Sequence, residues 1–458
     1  MRFTHADEVF TYFESFANLA RLTHYTNRAY RLDRMQALND HFNYPDRAFS
    51  SIHLAGSKGK GSTATFIRSA LSASGCRTGL YLSPHVADYR ERYTVDGEFI
   101  QDDILVETAN SMVSHLEGFS FPDEQGYEKP TTFELLTLYA FLLFKAVGCL
   151  WVVVETGLGG RLDATNVISP ELTVITPIEL EHTAVLGDTV EQIAREKGGI
   201  IKQGIPLVLG YQSASAAAVL RGIAAERSAE VVSLEESVTA LTSHTEHAGE
   251  QCSIDWGDST TCLLLRMRGS FQCENAALAL VCMQTLGFEI NERVLAAVAD
   301  SVLPGRMEMI SDNPRIYVDG AHTERSISKL FASFRQLYPD DGILIFGAVE
   351  GKDHVSMARH ALRNFGRIII STPGYFKKSD PRSLYELFVK LDADAGGACR
   401  ISFEPEPARA VELAMKEISA SGESSAERAI ITAGSFYMAA EIRAAYSRLK
   451  TAGSPPRQ

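Results

Sequence analysis

Positive charge is scarce in this 458-residue chain: 44 Lys plus Arg face 57 Asp plus Glu, a formal net charge of −13 at pH 7. That deficit argues against wholesale binding to nucleic acid or to an anionic membrane, both of which require a positive field, and leaves small anionic ligands open. Cysteine is sparse as well. The 7 cysteines, at positions 76, 149, 252, 262, 273, 282 and 399, give neither a disulfide framework nor a C-x-x-C metal pair, the usage of a reducing compartment. Long apolar runs are missing too: Leu135 to Val154 is interrupted by Lys145 and Gly148 and divides into a helix and a buried strand. The first twenty residues carry Asp7, Glu8 and Glu14 without a basic start, so no secretory leader is expected. These absences predict a cytoplasmic protein that engages neither membrane nor nucleic acid.

With 45% hydrophobic and 22% charged residues the chain can bury large cores. Its length exceeds one core, which stops growing near roughly 250–300 residues. Helix and strand patterns alternate, the mark of α/β architecture with parallel sheets. Strands are predicted at 51–55, 151–156, 172–176 and 206–210, then at 316–319, 343–347, 367–372, 400–403 and 429–432. Helices are predicted at 326–338 and 381–391, the latter opening on Asp380 as N-cap and Pro381 at the first helical position. The polar stretch 235–262 reads as hairpins or an insertion. A boundary near 303 then separates an N-terminal domain, 1–302, from a Rossmann-like domain, 303–450, with a polar tail at 451–458.

Between the first strand and its helix lies Gly56-Ser57-Lys58-Gly59-Lys60-Gly61-Ser62-Thr63. Glycines let backbone N–H groups converge on phosphate oxygens, the helix N-terminus adds its dipole, and Lys60 can reach between the β- and γ-phosphates. Gly61 separates Lys60 from Ser62, so the strict G-K-[ST] ending is absent. A Gly-rich turn before a helix also serves plain tight packing. Glu155, a carboxylate ending an apolar strand beside a Gly-rich turn, points to function from its position alone. Ser83 and His182 taken singly read as a turn residue and an ordinary histidine, and Lys197 as part of the solvated helical charge run Arg195-Glu196-Lys197.

Several further segments occur in a definite order: Leu82-Ser83-Pro84-His85, Glu91-Arg92, Thr132-Phe133-Glu134, the run from Glu155 through Gly157 and Asp163 to Asn166, Glu181-His182, Glu196-Lys197-Gly198-Gly199-Ile200, Gln272 with Asn275, Pro304-Gly305-Arg306 and Asp319-Gly320-Ala321-His322. In this order they resemble the folylpolyglutamate synthase/dihydrofolate synthase family, ADP-forming amide ligases related to the Mur ligases, over roughly residues 25 to 445.

The resemblance implies an N-terminal P-loop-type ATPase domain with a mainly parallel sheet, a C-terminal Rossmann-like α/β domain, and an active site in the cleft between them. It implies addition of L-glutamate to a folate or to dihydropteroate through an acyl phosphate, with ATP as substrate and two Mg²⁺ sites, in a monomer. Gly59, Lys60, Gly61, Ser62, Asn275, Arg306 and Asp319 fall on nucleotide positions. Ser83, Glu155, His182 and a carboxylated Lys197 fall on metal positions, and Lys60, Glu155, His182 and Lys197 are thereby the catalytic set. Tyr30, Arg31, Leu32, Thr131, Thr132, Phe133, Glu134, Leu162, Asp163, Ala164 and Ile200 fall on pterin-substrate positions, with Phe133 as a stacking face that core packing would equally explain. Departures are Lys58 where Asn is usual, the Glu179 and Glu181 setting of His182, Thr323 after His322, and Phe271 before Gln272. The readings left beside it are a Mur-type ligase of another substrate and a catalytically silent nucleotide-binding paralogue.

Overall fold

The computed structural model describes residues 2–17, 31–121, 129–339, 342–374, 378–420 and 428–452. The chain divides into two compact units: Met1–Thr242 with Ser253–Leu263 and Cys273–Ser301, and Val302–Gln458 with Ser243–Cys252 and Leu264–Gln272. Parts of the stretch left open in the sequence therefore belong with the second unit. The tail expected at 451–458 lies almost wholly outside the described residues.

The first unit is built on eight strands in the order β4-β3-β2-β5-β1-β6-β7-β8. These are β1 (Ser50–Ala55), β2 (Thr78–Tyr81), β3 (Tyr93–Val95), β4 (Glu98–Phe99), β5 (Trp151–Glu155), β6 (Leu172–Ile175), β7 (Leu207–Leu209) and β8 (Val231–Ser233). From β2 to β8 the neighbours run parallel, and β3 and β4 add antiparallel edges. Val152, Val153 and Val154 are all fully buried, as expected of a central parallel strand covered on both faces. The helix Thr132–Ala146 precedes β5, and among the described residues no helix is long and apolar enough to cross a membrane.

The stretch 235–262 resolves into the short helix Leu234–Ser237 and three strands, β9 (Ala240–Thr245), β10 (Glu250–Asp255) and β11 (Thr260–Leu265), in the order β11-β10-β9. The second unit carries β12 (Glu308–Asp312), β13 (Arg315–Val318), β14 (Gly342–Phe346), β15 (Arg367–Ile370), β16 (Arg400–Phe403) and β17 (Ala429–Ala433). Their order is β12-β13-β17-β14-β15-β16, parallel except for β12, with helices between them as in a doubly wound sheet. The helix Pro381–Asp394 starts as predicted, with Asp380 Oδ1 accepting from the Ser383 amide at 2.9 Å. One expectation is corrected: Cys252 and Cys273 are disulfide-bonded, and the other cysteines are free. Scattered spacing says nothing about which thiols a fold brings together.

Candidate active site

The site is assembled at the carboxyl ends of β1 and β5. β1 runs out at Ala55 into the glycine loop, and Gly59, left-handed at φ 86°, caps the helix Lys60–Ala73. A Cβ at Gly59 would lie 2.3 Å from Asn275 Oδ1, so only glycine lets the loop pass beneath that amide. Asn275 is buried and also lies 3.4 Å from Thr63 Oγ1, which sets it directly on the loop. The N-terminal amides of a helix that begins at Lys60 are free of intrahelical partners, the feature that suits an anion.

Two lysines meet at one carbonyl. Lys60 Nζ donates to Gly56 O at 3.0 Å and Lys197 Nζ to the same oxygen at 2.7 Å. Each has a carboxylate. Glu155 Oε1 is 3.9 Å from Lys60 Nζ, and Glu181 Oε1 is 2.7 Å from Lys197 Nζ. Lys197 is 2% exposed; burial lowers its pKa to about 8 against the pull of Glu181. Burial pushes Glu181 the other way, but Lys197 and Lys60 outweigh it and bring the carboxyl down to about 2. The helical charge run read from sequence is thus a surface for Arg195 and Glu196 only, and Lys197 points into the protein.

Ser83 follows β2, and its amide donates to Glu155 Oε2 at 3.2 Å. Its loop is held by Glu91, whose carboxylate accepts from the amides of Val86, Ala87 and Asp88 at 2.6, 3.1 and 3.1 Å. His182 is exposed, left-handed at φ 47°, and caps the short helix Thr183–Leu186. Contacts with Gly56 O and Glu155 therefore link Lys60, Ser83, Glu155 and Lys197 around the loop, and His182 directly follows Glu181 in the chain. Glu181 and Glu91 are the residues that sequence reasoning left without a role. Among the described residues no group of three or more His, Cys, Asp or Glu side chains gathers as a ready metal cage. A cation that keeps most of its waters needs fewer, and the Glu155 carboxylate, held by the Ser83 amide, is the kind of oxygen donor that Mg²⁺ prefers.

The pterin-type positions are placed as follows. Tyr30 lies outside the described residues. Arg31 pairs with Asp33, and Leu32 opens the helix Leu32–His41. Thr131 and Glu134 form a capping box: Thr131 Oγ1 accepts from the Glu134 amide at 3.2 Å and Glu134 Oε2 from the Thr131 amide at 2.7 Å. The same carboxylate holds buried Arg34, with Nε to Oε1 at 3.0 Å. Thr132 Oγ1 donates to Phe16 O at 3.0 Å. Phe133 is half-buried and stacks on Tyr81 at a centroid distance of 6.3 Å, and a Cβ on Gly157 would lie 2.4 Å from its Cζ. The ring thus packs against the Gly-rich turn after Glu155. Leu162 is half-buried on that turn, Asp163 and Ala164 are buried, and Ile200 is fully enclosed with Ile175 and Ile193 in the core.

In the second unit Arg306 lies 4.4 Å over the Phe436 ring and beside Asp319. Asp319 is buried, which raises its pKa against the pull of Arg306, and its oxygens accept from the amides of Met307 and Ala321, both at 2.7 Å.

Comparison with known proteins agrees with both sheets. The Mur ligase middle domain matches residues 54–283 and the Mur ligase glutamate ligase domain residues 305–436. A dihydrofolate synthase/folylpolyglutamate synthase of Bacillus subtilis is 36% identical over 340 residues, covering 72% of this chain and 77% of that protein. A probable bifunctional folylpolyglutamate synthase/dihydropteroate synthase of Haloferax volcanii is 29% identical over 91% of this chain, which spans 48% of its length. The crystal structure of Mycobacterium tuberculosis folylpolyglutamate synthase complexed with ADP and AMPPCP superposes with a TM-score of 0.83 at 26% identity, covering 99% of this chain and 100% of that one. With the glycine loop, its paired lysines and both domain matches in agreement, the chain belongs to the folylpolyglutamate synthase/dihydrofolate synthase family of the Mur ligases.

Proposed function

We propose that this chain joins the amine of L-glutamate to the carboxylate of a folate, of dihydropteroate, or of both, with ATP converted to ADP and phosphate. The observation that carries the reading is the pair of lysines on Gly56 O, each matched to one carboxylate, at the carboxyl end of a parallel sheet. A carboxylate is a poor electrophile, so it must first accept the γ-phosphoryl group as an acyl phosphate, which the amine then attacks with loss of phosphate. The reactants are anionic, and catalysis is chiefly positioning and charge neutralisation.

Lys60 supplies the mobile charge. At 3.9 Å its contact with Glu155 is loose, and the ammonium can exchange that partner for phosphate oxygens presented to the amides of Gly59, Gly61 and Ser62. Asn275 fixes the loop beneath the nucleotide. Glu155 and Ser83 would hold Mg²⁺, with His182 beside a second site, and the metal supplies charge neutralisation at the transferred phosphoryl group. Lys197 is the carboxylation site of this reading: its buried amine offers the unprotonated form that takes up carbon dioxide with loss of a proton, and Glu181 then gives up its ion pair. The same reading assigns Arg306 and Asp319 to the nucleotide. Phe133 and the turn bearing Leu162, Asp163 and Ala164 receive the pterin ring. Glu134 and Asp163 serve that ring through the shape they impose, because their oxygens are already engaged by protein donors. The protein acts as a cytoplasmic monomer.

The test is glutamate-dependent ADP release with dihydropteroate, tetrahydrofolate and a UDP-muramoyl peptide offered in turn. Release with one or both pteroyl substrates is expected. Release with the muramoyl peptide alone, or with none, overturns the reading.

A further inference from the structure

His53 belongs to none of the segments that carry the family resemblance, yet it occupies the middle of β1. Its backbone pairs with Val154 of β5 on one side and Thr173 of β6 on the other, and its side chain is fully buried. Such an imidazole is costly to enclose unless it is hydrogen-bonded. Nε2 lies 2.8 Å from Thr165 Oγ1, while Nδ1 has no partner.

The direction of this bond follows from its neighbour. Thr165 Oγ1 donates its only proton to Asp163 Oδ1 at 2.5 Å. With that proton committed, the hydroxyl can only accept from the ring, so the network assigns the hydrogen of His53 to Nε2 and leaves Nδ1 a bare acceptor. Reversing the chain would bury an N–H at Nδ1 without a partner, the rarer and costlier defect. The links therefore run from His53 through Thr165 to the Asp163 carboxylate, each polarising the next.

Asp163 uses this support to close a turn. Its Oδ2 accepts from the Leu158 amide at 2.8 Å and its Oδ1 from the Thr165 amide at 3.0 Å, tying both ends of the segment that leaves β5 after Glu155. Gly157 of that segment lies against Phe133. Asp163 is buried and has spent its oxygens on the protein, so its influence on a ligand passes through the turn's shape.

We propose that His53 and Thr165 are positioning residues for the pteroyl substrate, acting through Asp163 to hold the 157–163 turn against Phe133 in the form that receives the ring system. The inference rests on the folate reading above and adds the device that makes the substrate's seat rigid.

Side-chain geometry supplies the test. Glutamine places an amide N–H near the position of imidazole Nε2, and phenylalanine keeps the ring but removes the donor. In steady-state assays His53→Phe is expected to raise KM for the pteroyl substrate about tenfold, the scale of one hydrogen bond to a charged chain, with KM for ATP within about twofold of wild type. His53→Gln restores KM. Thr165→Val reproduces the defect, Thr165→Ser restores it, and His53→Phe with Thr165→Val is no worse than either alone, because both break one chain. If His53→Phe fails to fold, the Thr165→Val and Thr165→Ser pair reads the same link. A His53→Gln variant as defective as His53→Phe, a Thr165→Ser variant as defective as Thr165→Val, or KM values for ATP and pteroyl substrate rising together would overturn the proposal while leaving the folate reading intact. A wild-type protein that turns over no pteroyl substrate overturns the folate reading and this inference with it.

Discussion

Around Gly56, Lys60 and Lys197 share one carbonyl oxygen, and Lys60 keeps its carboxylate at 3.9 Å, too far for a hydrogen bond. At the start of the helix Thr132–Ala146, in the same unit, Glu134 is held by Arg34 at 3.0 Å and by its own capping box, with both ionic side chains 7% exposed. Both regions bury charge beside the glycine-rich turns of the central sheet, and they use it differently. The first leaves a cation with a loose partner that a phosphate can replace. The second satisfies its charges completely and so fixes backbone shape. In the proposed reading Lys60 is set apart by its loose ion pair and Glu134 by its complete one, whereas Lys197 is closely paired and must first lose Glu181 before it can react.

The comparison breaks most sharply at Lys197. Lys197→Arg keeps the positive charge but cannot form the carbamate, and turnover should vanish; near-wild-type kcat would refute carboxylation at this position. Next is Glu155→Gln, which keeps shape and removes a charge, with kcat expected to fall about 10²–10³-fold, the scale for removing one preorganised electrostatic group. Its thermal transition should stay near that of wild type. In the locked region the effect moves from rate to stability: Arg34→Ala leaves Glu134 buried and unpaired, and denaturant unfolding should show a loss of about 3–5 kcal/mol.

A smaller effect sharpens the first cluster. In the protein whose Lys197 is not carboxylated, the Glu181 carboxyl sits at about 2 in the folded state against an ordinary 4.5, so the unfolded chain binds more protons between those values. Stability from Glu181 is complete above 4.5 and is lost as pH falls towards 2. The gap in melting temperature between wild type and Glu181→Gln should therefore close on acidification through that window. A gap independent of pH would mean that Glu181 is not charged in the folded protein.

The fold was legible wherever a strand is apolar throughout. Val152 to Val154 and Ile368 to Ile370 are buried runs in central parallel strands, and their sequence says so. β2 escaped with Gly79 inside it, and β3 and β8 with a polar residue among their three, whereas β7 is just as short but wholly apolar. The N-cap at Asp380 was readable because capping is local. Lys197 was not: its neighbours in sequence describe a solvated helix, and only the tertiary approach of Glu181 and Gly56 shows that it faces inward. Glu134 and Asp163 were legible as important, but their roles as cap and turn closure depend on partners that no spacing reveals. The link from His53 to Asp163 spans more than a hundred residues and had no sequence signal at all.

The central claim is that charge gathered at the glycine loop activates a carboxylate by phosphoryl transfer. It is tested most directly by supplying a pteroyl substrate whose carboxylate carries a heavy-oxygen label, with ATP and glutamate, and analysing the released phosphate by mass spectrometry. The account predicts one labelled oxygen in each phosphate, delivered when the acyl phosphate collapses. Unlabelled phosphate accompanying formation of the glutamyl product would contradict it.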